Sequence, residues 1–226
     1  IGYPVILLIA AAFSGHRSSP ILNVYPSISM ILAVYNEELI ISKKIENFKA
    51  LDYPKDKLEL IVVSDCSTDR TNEILASYHN EHLIPILQKE RMGKTAAINL
   101  AVQSAKGEIL VFTDADAIFE RNCLIKLVRH FSDNNIGLVS GKTRYIFSDS
   151  GDKKFSAIDI YTEGEMFLKK LESRVGSIVG ADGSVYAMRR FLYEELMNEH
   201  INDLIHPIQI VLKGYRAIED AEAICE

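Results

Sequence analysis

The strongest constraint in this chain is a regular alternation of short apolar, β-branched runs with segments of helical period. Residues 28–34 (ISMILAV) read as a buried strand, and the segment after it carries Ile41, Ile45 and Phe48 at i, i+4 and i+7, one face of a helix. Residues 58–63 (LELIVV) read as the next strand, and Asp69 stands where it would cap a helix bearing Ile74, Leu75 and Tyr78. Residues 83–87 form a weaker strand because Pro85 lies inside it. Residues 94–104 read as a helix and 108–112 (EILVF) as a strand. A further amphipathic helix at 121–131 runs through Leu124, Leu127, Val128 and Phe131, and residues 136–140 read as another strand. Alternation of this kind predicts an α/β fold, with a mainly parallel, Rossmann-like central sheet covered by helices on both faces.

After Tyr145 the alternation loosens. Residues 149–154 (DSGDKK) read as a polar turn, and a long helical stretch follows to about Leu171. A glycine-rich segment, 176–183, leads into an apolar run at 185–188 and the pair Arg189-Arg190. The last recognisable helix covers about 203–213, with Gly214 as its stop.

Composition narrows the class further. With 226 residues, 48% of them hydrophobic and 25% charged, the chain has the make-up of one large folded domain, which excludes disorder, collagen and coiled coil. Lys and Arg total 25 against 31 acids, a net charge of −6, which argues against a nucleic-acid partner. Cys66, Cys123 and Cys225 lack the spacing of a disulfide framework or a zinc site and read as reduced packing residues of a cytosolic compartment. The six histidines are also scattered without metal spacing.

The first 25 residues stand apart from 26–226. Residues 1–13 (IGYPVILLIAAAF) are almost unbroken apolar sequence, shorter than the roughly 20 residues that span a bilayer. Two readings stay open: a surface-packed helix, or the end of a transmembrane helix with residues 16–20 (HRSSP) as its polar exit. On the second reading, the chain is the catalytic piece of a longer protein, truncated at its C-terminus as well.

Ligands of open α/β sheets bind beyond the carboxyl ends of the strands, and three polar clusters fall at such ends. They are residues 33–37 (AVYNE), 64–69 (SDCSTD) and 113–116 (TDAD). Asp114 and Asp116, at i and i+2, place two like charges on one cavity, where Mg²⁺ or Mn²⁺ held with substrate phosphates would relieve the repulsion. Capping of the helix that follows is their structural alternative. Asp65 is placed to accept a nucleobase N–H or to shape a turn, and Asp69 is foremost an N-cap. Residues 91–95 (RMGKT) open a helix, yet are no P-loop, since Gln88 replaces the upstream glycine; Lys94 can still hold a phosphate there. Asp203 stands before an apolar helix as either a cap or a functional acid, and Asn202 would serve equally as the cap.

Taken together, these segments resemble family 2 glycosyltransferases of the GT-A fold. The resemblance rests on AVYNEE at 33–38, YPKDKLELIVVSDCSTDRT at 53–71, RMGKTAAIN at 91–99, VFTDAD at 111–116, GADGSVYAMRR at 180–190 and residues 201–226. It implies an inverting, metal-dependent enzyme using a nucleotide-sugar donor, most simply a UDP-sugar. Its site would lie at the carboxyl ends of the strands. Tyr35, Glu37 and Asp65 would line the nucleoside pocket, with Asp65 on the uracil edge. Lys94 would approach the diphosphate, Asp114 the ribose, and Asp114 with Asp116 the metal. Asp203, eleven residues before Gly214, falls where the family has its catalytic base, and residues 180–183 fall near the acceptor.

The sequence departs from the family pattern at Ser64, Cys66 and Asn202, where Asp, Gly and Glu are usual. With no tryptophan in the chain, the Gln-x-x-Arg-Trp motif of processive members is absent from it. The implied acceptor is a saccharide or lipid-linked hydroxyl, met at the cytoplasmic face of a membrane. Two alternatives are a silent nucleotide-sugar-binding domain, which the full acid set argues against, and a sugar nucleotidyltransferase, which would need a glycine-rich loop where AVYNEE stands.

Overall fold

A computed structural model of the chain describes residues 2–14, 24–78, 82–144 and 157–226, without the side chains of 157–163, 165 and 166. The expected polar turn at 149–154 and polar exit at 16–20 lie outside the described residues.

The helices are α1 (Gly2–Phe13), α2 (Ile41–Ala50), α3 (Thr71–Ser77), α4 (Lys94–Ser104), α5 (Cys123–Val128), α6 (Ala157–Val175) and α7 (Asn202–Leu212). The strands are β1 (Ile28–Val34), β2 (Leu58–Ser64), β3 (Leu83–Leu87), β4 (Ile109–Thr113), β5 (Ile136–Thr143), β6 (Val185–Arg189) and β7 (Arg216–Cys225). They form one sheet in the order β3-β2-β1-β4-β6-β5-β7. β3, β2, β1 and β4 run parallel, β6 runs antiparallel to both β4 and β5, and β7 is parallel to β5.

Both faces are covered, which is why the strands read as continuous apolar runs rather than alternating ones. Ile28, Met30, Leu32 and Val34 of β1 pack with Ile41, Ile45 and Phe48 of α2 and with Leu124 and Leu127 of α5. Ile31 points the other way and packs with Ala97, Ile98 and Ala101 of α4 and Ile210 of α7. Each such fully buried aliphatic side chain contributes about 1.5–3 kcal/mol relative to exposure. Pro85 is tolerated because β3 is an end strand of the sheet.

Several elements differ from the sequence reading, most by a residue or a few at one end. The helix expected over 121–131 is α5 followed by a 3₁₀ turn, Arg129–Ser132, which directs Arg129 and His130 onto Asp220. β5 continues to Thr143, past residue 140. β7 has no counterpart in the sequence pattern, because Glu219, Asp220 and Glu222 interrupt its apolar run. Asp220, only 6% exposed, is satisfied by Arg129 and His130 at 2.7 Å each.

α1 packs Leu7 and Ala11 against Leu168 and Leu171 of α6 and leaves Val5, Ile6, Leu8, Ile9 and Phe13 exposed. Among the described residues, no helix is long and apolar enough to cross a membrane. α7 ends as expected, with Gly214 at φ +82° two residues beyond its last helical residue. It also carries Pro207 in its interior, a placement that ordinarily costs a helix about 3 kcal/mol.

Candidate active site at the carboxyl rim of the sheet

The loops after β1 and β2 are stitched to each other by side chains. Asn36 Oδ1 accepts the Thr68 N–H at 2.8 Å, and Thr71 Oγ1 accepts the Glu37 N–H at 2.8 Å. Asp69 accepts from the Glu38 N–H at 3.1 Å and the Thr71 N–H at 3.0 Å, which ties the two loops. The N-cap of α3 is Arg70 and not the expected Asp69, because the chain makes one more non-helical residue before the helix begins. Asn36 and Cys66 take left-handed backbone, φ 57° and 59°, which accounts for the glycine that the family usually has in place of Cys66.

Asp65 is 4% exposed. One carboxylate oxygen accepts the Met92 N–H at 2.7 Å and the other the Gly93 N–H at 2.9 Å. It therefore shapes the turn that opens α4, while each oxygen keeps an unused lone pair. Gly93 is needed there because its φ is +90°. Arg91 lays its guanidinium over the Tyr35 ring, 3.8 Å from the centroid, placing a cation and an aromatic face beside Asp65's loop.

Lys94, the first residue of α4, donates to Asp114 Oδ1 at 2.6 Å. The structure thus places the expected phosphate ligand, Lys94, on Asp114, the first acid of the Asp114 and Asp116 pair. Asp114 Oδ2 receives the Ser184 hydroxyl at 3.4 Å, a contact set by the register that pairs Thr113 with Val185. Asp116 is exposed and has no hydrogen-bond or ion-pair partner among the described residues. Both acids line a cleft of about 470 Å³ with Lys43, Thr143, Arg144 and Ser184. A larger cavity, about 650 Å³, lies at the opposite end of the sheet, away from these acids.

Sequence reasoning missed Lys44, because a lysine on the inward face of α2 reads as a solvated charge. It is fully buried, donates to Thr113 Oγ1 at 2.7 Å and to the Ala117 carbonyl, and sits over Phe119. Its ammonium grips the residues on either side of the Asp114–Asp116 turn. Burial pulls its pKa down to about 8. Inward placement at i+3 from Ile41 was the only signal available.

The second acidic element approaches through residues 181–184. The Ala181 N–H donates to the Asp203 carbonyl at 2.8 Å, and a Cβ on Gly183 would stand 2.7 Å from Asp203 Oδ2. Asp182 anchors this segment to β5, accepting the Thr143 N–H at 2.7 Å and the Thr143 hydroxyl at 2.8 Å. Asp203 itself lies in the first turn of α7 after the N-cap Ile201, and no side chain caps that helix. The capping alternative for Asp203 is therefore not what the structure has, nor is it for Asn202. The Asn202 amide donates to the Tyr186 hydroxyl at 2.7 Å, which leaves the phenolic proton for His206 Nδ1 at 2.9 Å. Burial drives the His206 pKa down to about 3, so the ring is neutral.

The acids suit a divalent cation shared with a substrate. Among the described residues no group of three or more His, Cys, Asp or Glu converges as a self-sufficient metal cage. Two carboxylates completed by substrate phosphates is the set that Mg²⁺ or Mn²⁺ takes. Glu37 reports the local field: its pKa is raised by burial, then by the charges of Asp116, Asp69 and Asp114.

Comparison with known proteins decides the family. The model described as glycosyl transferase family 2 matches residues 29–197. The chain belongs to glycosyl transferase family 2. Among curated members, it is 32% identical over 127 residues to the probable glycosyltransferase YdaM of Bacillus subtilis, covering 54% of this chain and 30% of that protein. It is 32% identical over 128 residues to a beta-monoglucosyldiacylglycerol synthase of Nostoc sp., covering 55% and 27%. The chain thus spans under a third of the length of these two relatives. Among solved structures, the mannosyltransferase PcManGT from Pyrobaculum calidifontis, in complex with GDP-Man and Mn²⁺, superposes with TM-score 0.83 at 30% identity, over 99% of this chain and 64% of that one. Staphylococcus aureus TarS in complex with UDP-GlcNAc superposes with TM-score 0.63 at 20% identity, over 88% and 57%, a likeness of fold alone. The family's GT-A fold is the fold of this chain.

Proposed function

We propose that this domain is an inverting glycosyltransferase that moves a sugar from a nucleotide-sugar donor to a hydroxyl of a saccharide or lipid-linked acceptor. One observation carries the reading. In a family 2 chain, residues 181–184 bridge two acidic elements, with Ala181 and Gly183 against Asp203 and Ser184 on Asp114.

In this reading Tyr35, Glu37 and Asp65 border the nucleoside. A carboxylate at Asp65 accepts the ring N–H of uracil or of guanine equally well, and PcManGT, the neighbour at 30% identity, holds GDP-Man. The donor is thus a UDP- or a GDP-sugar. Asp114 and Asp116 would hold Mg²⁺ or Mn²⁺, which when bound supplies positive charge to the diphosphate.

Asp203 takes the proton from the acceptor hydroxyl as that oxygen bonds to the anomeric carbon, on the face opposite the nucleotide. The bond from that carbon to the diphosphate oxygen breaks in the same displacement. The nucleoside diphosphate leaves with the electron pair, and the anomeric centre inverts. Lys94, once released from Asp114, offers its ammonium to the departing phosphate, helped by the N-terminus of α4. We also assign the domain to the cytoplasmic face of a membrane. The apolar surface of α1 supports contact with a membrane.

Calorimetric titration of UDP, GDP and ADP with and without Mn²⁺ tests the reading. Manganese-dependent binding of UDP or GDP, and not of ADP, is the expected result. Absence of binding to all three would overturn it.

A further inference from the structure

Pro207 is the sixth residue of α7, four residues after Asp203, and it is buried. In a regular helix the N–H at 207 would bond to the carbonyl of 203. Proline has no such N–H, and its ring pushes the carbonyl four residues back away from the helix axis. The Asp203 carbonyl is not left without a donor: it receives the Ala181 N–H at 2.8 Å, from a segment outside the helix. Two residues on, Gly183 lies so close that any Cβ would meet the Asp203 carboxylate at 2.7 Å.

We propose that Pro207 is a positioning residue for Asp203. By vacating that carbonyl it creates the acceptor on which residues 181–183 dock, and the docked segment fixes the Asp203 carboxylate from its open side. The inference rests on the reading of Asp203 as the general base. The same segment reaches Asp114 through Ser184, so the docking also holds the two acidic elements in one frame. This explains an interior proline that the helix would otherwise be better without.

The test is Pro207→Ala, read by amide hydrogen exchange at Ala181 and by hydrolysis of GDP-mannose and UDP-GlcNAc, with water as acceptor. The variant regains the intrahelical bond at 207. Exchange protection of the Ala181 amide is expected to fall at least tenfold. Hydrolytic kcat is expected to fall about tenfold, with nucleotide affinity within twofold of wild type. Unchanged Ala181 protection overturns the proposal, whatever happens to kcat. Lost protection with kcat unchanged overturns it too, unless Asp203→Asn is also without effect; in that case the reading of Asp203 as base has failed instead. Should Pro207→Ala not fold, the wild-type protein still decides: an Ala181 amide exchanging at the rate of an open loop overturns the docking.

Discussion

Lys94 Nζ and Asp114 Oδ1 lie 2.6 Å apart, joining the first residue of α4 to the carboxyl end of β4. The pair is half exposed, with side-chain exposures of 52% and 31%, a setting in which an ion pair contributes at most about 1 kcal/mol. Stability is thus a weak reason for it. Replacing Lys94 with Met is expected to change the unfolding free energy by less than about 1 kcal/mol while weakening nucleoside diphosphate binding roughly tenfold, as befits loss of a charge-assisted contact. Denaturant melts and calorimetry on one preparation check both halves.

Asp116 and Asp203 are expected to fail in different ways. Asp116→Asn removes the manganese-dependent part of nucleotide binding. Asp203→Asn retains nucleotide affinity and lowers turnover by about 10² to 10⁴, the range of a lost general base. Titration and turnover measured side by side separate the two, and full turnover in Asp203→Asn would leave that residue without a chemical role.

Lys44 holds Thr113 and Ala117 from beneath the acidic turn. Lys44→Met leaves that buried hydroxyl and carbonyl without their donor, an expected loss of about 1–3 kcal/mol of stability. A mobile turn also binds cations less well, so manganese-dependent nucleotide affinity should fall as well. Unaltered affinity in a measurably destabilised variant would make Lys44 a purely structural residue.

His206 predicts the response to acid. Its pKa is near 3 in the folded protein and near its ordinary 6.5 when unfolded. Between those values the unfolded chain binds the extra proton, so stability falls as pH falls below 6.5. Lowering pH from 7 to 5 should remove about 2 kcal/mol through this residue alone. The stability difference between wild type and His206→Phe should shrink by that amount over the same interval, measured by urea unfolding. A difference independent of pH would mean that the ring titrates in the fold as it does in the unfolded chain.

Local order decided most of what could be read from the residues. β1, β3 and α4 have the bounds their patterns predict; for β1, burial on both sheet faces demands a nearly continuous apolar run. The same order put Tyr35, Asp65 and Asp114 at strand ends, because side chains beyond the carboxyl ends of parallel strands share one rim.

The tertiary structure alone decided the partners. β7 and Lys44 were opaque in the sequence because a charge reads as solvated until its counter-group, Arg129 for Asp220 or Thr113 for Lys44, comes into place from a distant segment. Likewise, Asp203 had two equal readings by position. The structure leaves its carboxylate out of the helix cap and packs residues 181–183 against it, contacts that no local pattern encodes.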